Sequence, residues 1–352
     1  MWRKPMKVFS SSNSRIPFRG VRLGGLLVTV AALLWSCGHE MKRDVYFSSF
    51  DKEIIPERLP VGFSATIPLI VGAIAPVEDG YWCIIAQNEN CMLATDGDFT
   101  PKAYFAHRGG GPGEVTAVSG TFGFDLGDNG LYSIFDANSR KVYGTNASLD
   151  YRLEEVEDLD SMRRYAVWKM IRLNDGRYVG VKGDNTCGLV EYNPADGTVK
   201  EWPLGFDPGK GNFSENEMSM FSVLRYNPVR GIVAVIYGFN PTVVLYDENG
   251  NVVRDITYKG YEATAEESGD NINCYGAMQL TDNHIWLLYE GDGDAADDKS
   301  IMVTDYDGNP VARLPIGKAN NFCVDTARGR LITIDTSNAE SGVIVYALPD
   351  FD

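Results

Sequence analysis

Histidine is scarce in this chain: 352 residues hold only His39, His107 and His284. There is also no H-E-x-x-H, no G-x-S-x-G and no Walker-type glycine loop, which excludes the common zinc-protease, serine-hydrolase and nucleotide-hydrolase constellations. Cysteine is almost as sparse. Beyond Cys37 there are Cys83, Cys91, Cys187, Cys274 and Cys323, at spacings that match no zinc pattern. An odd number leaves at least one thiol unpaired, and buried core cysteines are expected. Cys274 and Cys323, expected on neighbouring inner strands, are the one pair considered for a bond. No apolar run reaches the roughly 20 residues that span a bilayer. Long helical periodicity and low-complexity linkers are missing too.

Positive charge is concentrated at the start. Arg3, Lys4, Lys7, Arg15, Arg19 and Arg22 precede the apolar stretch from Leu23 to Trp35 without an intervening acid, which is the pattern of a signal peptide over residues 1–36. The segment ends Leu34-Trp35-Ser36-Cys37, which resembles a bacterial lipobox, so cleavage before Cys37 would leave a lipidated N-terminus. Without the six basic residues of the leader, the formal charge moves from −16 to −22. A chain this acidic repels nucleic acid and anionic headgroups, so membrane attachment is expected through the lipid alone. The location expected is the cell envelope, as an outer-membrane lipoprotein.

What is abundant is a repeat. GYWCII, GLYSIF, GRYVGV, GIVAVI, HIWLLY and GRLITI begin at Gly80, Gly130, Gly176, Gly231, His284 and Gly329, spaced by 50, 46, 55, 53 and 45 residues. That is the period of a four-stranded propeller blade. Each run reads as the second strand of its blade, entered by a turn such as Asp128-Asn129-Gly130. Similar turns at Asp96-Gly97, Asp196-Gly197, Asn249-Gly250 and Asp307-Gly308 join third and fourth strands. The expected fold is all-β, a six-bladed β-propeller of four-stranded antiparallel blades over residues 52–352, following a lipidated tether over 37–51. The sixth blade is one strand short, and an unpaired edge is an aggregation hazard. The segment Lys52 to Gly62, with prolines suited to an edge strand, is expected to close the ring against Val343 to Leu348.

Loops from the second to the third strand, and from each outer strand to the next inner one, leave the same face of the disc. Function is expected there. The face is expected to be acidic, through Glu154, Glu155, Glu157, Asp158, Asp160, Glu215, Glu217, Glu262, Glu266, Glu267 and Asp270. A denser cluster, Asp292, Asp294, Asp297 and Asp298, suits calcium in its oxygen-rich character but lacks the spacing of an EF-hand. Phe213, Phe221 and Phe239 are candidate exposed aromatics.

Between the first two blades lies His107-Arg108-Gly109-Gly110-Gly111-Pro112-Gly113-Glu114. The glycines permit unusual backbone angles and Pro112 fixes one turn, so a structural crossover is one reading. The other is an anion-binding nest of amides beside His107 and Arg108, with Glu114 capping amides or pairing with Arg108. The hexapeptide with Gly109, Gly111, Pro112, Gly113 and Glu114 resembles the signature of TolB-like six-bladed propeller lipoproteins of Gram-negative bacteria. That resemblance implies fold and location, with no catalytic residue to carry over. The function expected is a lipid-anchored envelope binding module: a monomeric disc, without a cofactor, presenting an acidic loop face to a protein or glycan partner. The alternative is a calcium-dependent lactonase- or esterase-type hydrolase. It would hold its metal at the channel mouth, with Asp125, Asn227, Asn273, Asn320 and Asp325 as candidate channel residues.

Overall fold

Each of the six runs becomes the second strand of a blade. The computed structural model describes residues 44–60, 66–67, 71–86, 89–119, 130–183, 188–204, 222–238, 240–260, 274–290, 299–335 and 341–351. Two N-terminal strands, β1 (Asp44–Phe47) and β2 (Thr66–Ile67), precede the blades. Blade one holds β3 (Val71–Val77), β4 (Gly80–Ile85), β5 (Asn90–Thr95) and β6 (Pro101–His107). Blade two holds β7 (Tyr132–Asp136), β8 (Lys141–Thr145) and β9 (Glu154–Asp158), with Val118 bridged to Asp136 on the inner side of β7. Blade three comprises β10 (Lys169–Arg172), β11 (Tyr178–Val181), β12 (Leu189–Asn193) and β13 (Thr198–Trp202). Blade four comprises β14 (Ser222–Asn227), β15 (Ile232–Tyr237), β16 (Thr242–Asp247) and β17 (Val252–Tyr258). Blade five comprises β18 (Tyr275–Leu280), β19 (His284–Tyr289), β20 (Ser300–Asp305) and β21 (Pro310–Pro315). Blade six has β22 (Asn321–Asp325), β23 (Arg330–Asp335) and β24 (Ser341–Ala347). Within every blade the pairing is antiparallel in chain order.

The unbroken apolar character of the second strands follows from burial on both faces, because alternate side chains enter different seams. In β15, Val233, Val235 and Tyr237 enter the seam with blade three, while Ala234 and Ile236 enter the seam with blade five. In β19, Ile285, Leu287 and Tyr289 face blade four, and Trp286 and Leu288 face blade six. Among the described residues the core falls into clusters that pair blades one with two, two with three, three with four, four with five, five with six, and six with one. That succession closes the ring.

Closure uses more chain than the sequence suggests. Arg58 bridges Tyr346, with Leu59 donating to the Val345 carbonyl at 2.8 Å, and β2 pairs antiparallel with Ser341 and Gly342 of β24. The expected closing segment therefore does pair with the last strand. Upstream, Glu53 bridges Arg313 on the edge of β21, and β1 pairs in parallel with β17, Asp44 opposite Asp255 through Phe47 opposite Tyr258. Phe47 is buried against Phe50 and Tyr258, at ring distances of 5.3 and 5.2 Å. One strap thus runs along the outer edges of blades four, five and six. Residues from Asp44 on, expected as tether, belong to the propeller instead, because an apolar ring at Phe47 gains more in a seam than in water.

Cys83, Cys91, Cys274 and Cys323 are buried free thiols. Cys274 lies in the seam of blades four and five and Cys323 in that of six and one, so the pair considered for a bond is not bonded. Burial pushes the Cys83 thiol up to about 12. Among the described residues no helix is long and apolar enough to cross a membrane.

Candidate functional site

Two faces emerge from this topology. On the turn face, the aspartate that ends a third strand accepts amides of its own turn: Asp247 from Asn249 and Asn251, and Asp305 from Asp307 and Asn309. Gly197, Gly250 and Gly308 sit at positive φ as expected, but in blade one the left-handed residue is Phe99 rather than Gly97. Neighbouring blades are then latched together. Asn227 accepts the amides of Val229 and Arg230 and donates to the Thr281 carbonyl and Tyr306 hydroxyl of blade five. Asp325 repeats the device at the closing seam, accepting Arg328 N–H groups at 3.0 and 2.9 Å and the Tyr81 hydroxyl of blade one at 2.8 Å. Asn227 and Asp325, expected at the channel, therefore have their polar atoms engaged in turns and seams. Asn320 is exposed, and Asp125 and Asn273 lie outside the described residues. Among the described residues no three metal-ligating side chains cluster.

The loop face begins with the glycine-rich crossover after β6. Arg108 donates its amide to Glu89, Gly109 to Val115 at 3.0 Å, and Val115 back to His107 at 2.9 Å, which closes a tight loop. Glu114 folds into that loop. One carboxylate oxygen accepts the Gly111 amide at 2.7 Å, and the other lies 3.5 Å from His107 Nδ1, so the glutamate faces His107 rather than Arg108. A Cβ at Gly109 would stand 2.0 Å from that carboxylate and one at Gly111 2.9 Å from it, whereas only Gly113 has a positive φ, of 76°. Two of the glycines thus make room for Glu114, and the third makes the turn. The amide of the expected nest already holds an internal anion.

Below the loop, Asp136 is fully buried and ties the crossover to blade two. Its oxygens accept the Thr116 amide and hydroxyl, the Ala117 amide at 3.1 Å and the Asn138 amide at 3.1 Å. Burial alone raises its pKa, but these donors outweigh burial and hold the carboxyl below the usual range.

Arg140 follows four residues later, at a left-handed φ of 62°. Only 9% of the residue is exposed, and neither Nε nor Nη1 has a hydrogen-bond partner. Its guanidinium lies 5.8 Å from the ring centre of Trp168, which is 50% exposed on the crossover from blade two to blade three. Burial and Arg163 push the Arg140 pKa down, against Asp136 and Asp160. Around Trp168 the same crossover carries Arg163, paired with Asp160 at 3.3 Å, and Arg164, stacked at 4.6 Å on Tyr165. The indole rests against Gly183, where a Cβ would meet its ring nitrogen at 2.6 Å.

Of the acids expected on this face, Asp160 lies on the crossover, but four others are placed elsewhere. Glu154, Glu155, Glu157 and Asp158 form β9 on the outer edge of blade two, held there by ladder pairing with β8. They do not lie in a face loop. The acids at 215, 217, 262, 266, 267 and 270, the cluster at 292, 294, 297 and 298, and the phenylalanines at 213, 221 and 239 all lie outside the described residues. Near Trp168 the described side chains are predominantly basic. Sequence reasoning passed over this patch, although Arg163-Arg164-Tyr165 with Trp168-Lys169 is a marked basic and aromatic stretch in an acidic chain.

On the channel side of the same region, Lys169 of β10 reaches β14 of blade four, donating to the Ser222 carbonyl at 2.5 Å. Burial, reinforced by Arg225, lowers its pKa to about 7.

No family model matches the chain, and no curated protein matches it either. Among solved structures it is similar to a protein described as exported from Bacteroides fragilis, at 13% identity and a TM-score of 0.51, covering 86% of this chain and 98% of the other. It is also similar to a member of the DUF4221 family from Bacteroides vulgatus, at 11% identity and a TM-score of 0.55, covering 85% and 97%. At these identities the likeness is one of fold. The chain is a six-bladed β-propeller.

Proposed function

We propose that this protein is a lipid-anchored cell-envelope interaction module. It holds an acidic partner, glycan or protein, on its loop face at the crossover from blade two to blade three. The observation that carries the reading is Arg140: a buried guanidinium with two unpartnered nitrogens is a liability for folding alone, and buried unsatisfied polar groups call for an explanation such as an absent anion. The half-exposed Trp168 beside it offers a flat apolar face to a sugar ring, and Arg163 and Arg164 supply further charge. Arginine suits this role because its planar fork matches carboxylates. A formal charge of −22 without the leader repels polyanions. The partner is therefore one with few acidic groups, and a carboxylated glycan fits best.

Envelope location rests on the leader, on the lipobox-like sequence before Cys37 and on the similarity to a propeller described as exported. The glycine-rich crossover supports kinship with TolB-like propeller lipoproteins, in which it is a structural element here stabilised by Glu114. The test is calorimetric titration of the full chain with trigalacturonate and with neutral galactotriose. Binding of the acid alone, lost in Trp168→Ala and weakened about tenfold in Arg163→Ala/Arg164→Ala, is the expected result. Equal binding of both sugars, or binding indifferent to these variants, would reject the reading.

A further inference from the structure

Blade two breaks the pattern of the turn face. Where four other blades join third and fourth strands through an Asp-Gly or Asn-Gly turn, blade two inserts Asn146 to Leu153, with a 3-10 turn over Ala147–Leu149. Asn146 holds it, accepting the Leu149 amide at 3.1 Å and donating to the Gly130 carbonyl at 3.0 Å. Asp150 and Tyr151 then adopt successive left-handed conformations, φ 51° and 57°. Such angles in non-glycine residues cost of order 1–3 kcal/mol each and persist where the surroundings enforce them. Their effect is to aim Tyr151 at blade one, where its ring lies 5.0 Å from Phe105 and 6.1 Å from Trp82.

A cleft of about 340 Å³ opens between blades one and two on this face. That volume falls in the range of small-molecule sites, roughly 300–1,000 Å³. Trp82, Tyr132 and Tyr151 supply aromatic walls, with the Trp82 and Tyr132 rings 5.0 Å apart. Asn146 and Ser148 add polar groups, and Glu78 and Asp79 stand exposed at the rim. Neither rim carboxylate forms an ion pair among the described residues. Two cations reach the backbone of this turn instead: Lys102 donates to the Asp79 carbonyl at 3.3 Å, and Arg328, already paired with Asp325, donates to the Glu78 carbonyl at 2.7 Å. Burial raises the Tyr151 phenol pKa, and Asp79 and Asp150 raise it further, so two carboxylates act on the aromatic wall.

We infer that this cleft is a second binding site, for a small organic cation with a flat apolar body, the body against Trp82, Tyr132 and Tyr151 and the ammonium toward Glu78 and Asp79. Aromatic faces attract cations, and carboxylates set the polarity of the site. The acidity of the chain, which opposes polyanions at the other face, draws such a ligand in. This inference is independent of the acidic partner proposed above. It is the turn-face counterpart of that site, with opposite charge preference.

The test uses two probes that differ only in the charged group, 2-phenylethylammonium and 2-phenylethanol, titrated calorimetrically into the full chain with Trp fluorescence as a second readout. The ammonium is expected to bind, and the alcohol to bind about tenfold more weakly or not at all. Glu78→Gln/Asp79→Asn, at exposed positions, should leave the melting temperature unchanged and abolish the difference between the probes. Tyr151→Phe should keep binding, and Tyr151→Gly, which relieves the left-handed strain but removes the packing on Phe105 and Trp82, should lose it with a lowered melting temperature. No binding of the ammonium at millimolar concentration, equal binding of both probes, or a preference that survives the double variant would each overturn the inference.

Discussion

The two faces of the disc solve different problems with the same chain. On the turn face, Asp247, Asp305, Asn227 and Asp325 spend every polar atom on turns and on the next blade. On the loop face, Arg140 is buried with Nε and Nη1 unpaired and Trp168 is left half in solvent. Side chains that satisfy one another within the fold serve stability, and a buried charge left with open donors suits something that arrives later. Blade two is the exception on both sides. Its third-to-fourth-strand insertion opens a cleft on the turn face, and its outgoing crossover carries Trp168.

The largest effect should come from cutting a latch on the turn face. Asp325→Ala leaves Tyr81 and Arg328 without their shared acceptor in the closing seam, and should lower stability by about 3 kcal/mol in urea unfolding. A loss below about 0.5 kcal/mol would mean that the latch is decoration. Gly109→Ala should cost less, about 1 kcal/mol, because the clashing Glu114 carboxylate can swing away with the loss of its bond to Gly111. In that case Gly109→Ala on a Glu114→Ala background should be nearly silent, which a double-mutant cycle reads directly.

Arg140→Met inverts the sign. Replacing a buried charge that has two nitrogens without hydrogen bonds by an apolar chain of similar length should raise stability by about 1 kcal/mol while abolishing acid binding. A destabilised variant would show that Arg140 is structural.

The remaining effect is a pH slope. Lys169 has a folded-state pKa of about 7, below its ordinary value of 10.5, so the unfolded chain binds the extra proton between these limits. Stability should therefore rise with pH above 7, by up to about 1.4 kcal/mol per unit and less for a side chain that is only partly buried. Lys169→Met should flatten that rise. An unchanged slope would assign it elsewhere.

How much of this could be read in advance varies by element. The six second strands were legible because burial on both faces demands an apolar run, and a glycine or histidine marks its start. The turn face was legible for the same local reason, since Asp247 and its acceptor pattern lie within five residues. The strap was only half visible. Lys52 to Gly62 announced itself through the missing strand of blade six, but Asp44–Phe47 pairs with a strand more than two hundred residues away and is too short to signal it. Glu154–Asp158 misled, because a polar outermost strand and an acidic loop have the same composition. Arg140 and Trp168 lie 28 residues apart in sequence, and only the fold brings them together. The left-handed pair at Asp150 and Tyr151 defies propensity altogether, and nothing local predicts the cleft beside it.

The most direct test of the division between faces is a hydrogen-exchange footprint of the full chain with and without trigalacturonate. Protection confined to Ala137–Arg140 and Leu159–Trp168, absent in Arg140→Met, is the predicted result. Protection centred on the turn-face segments around Asp247 and Asp305, or none near Trp168, would contradict it.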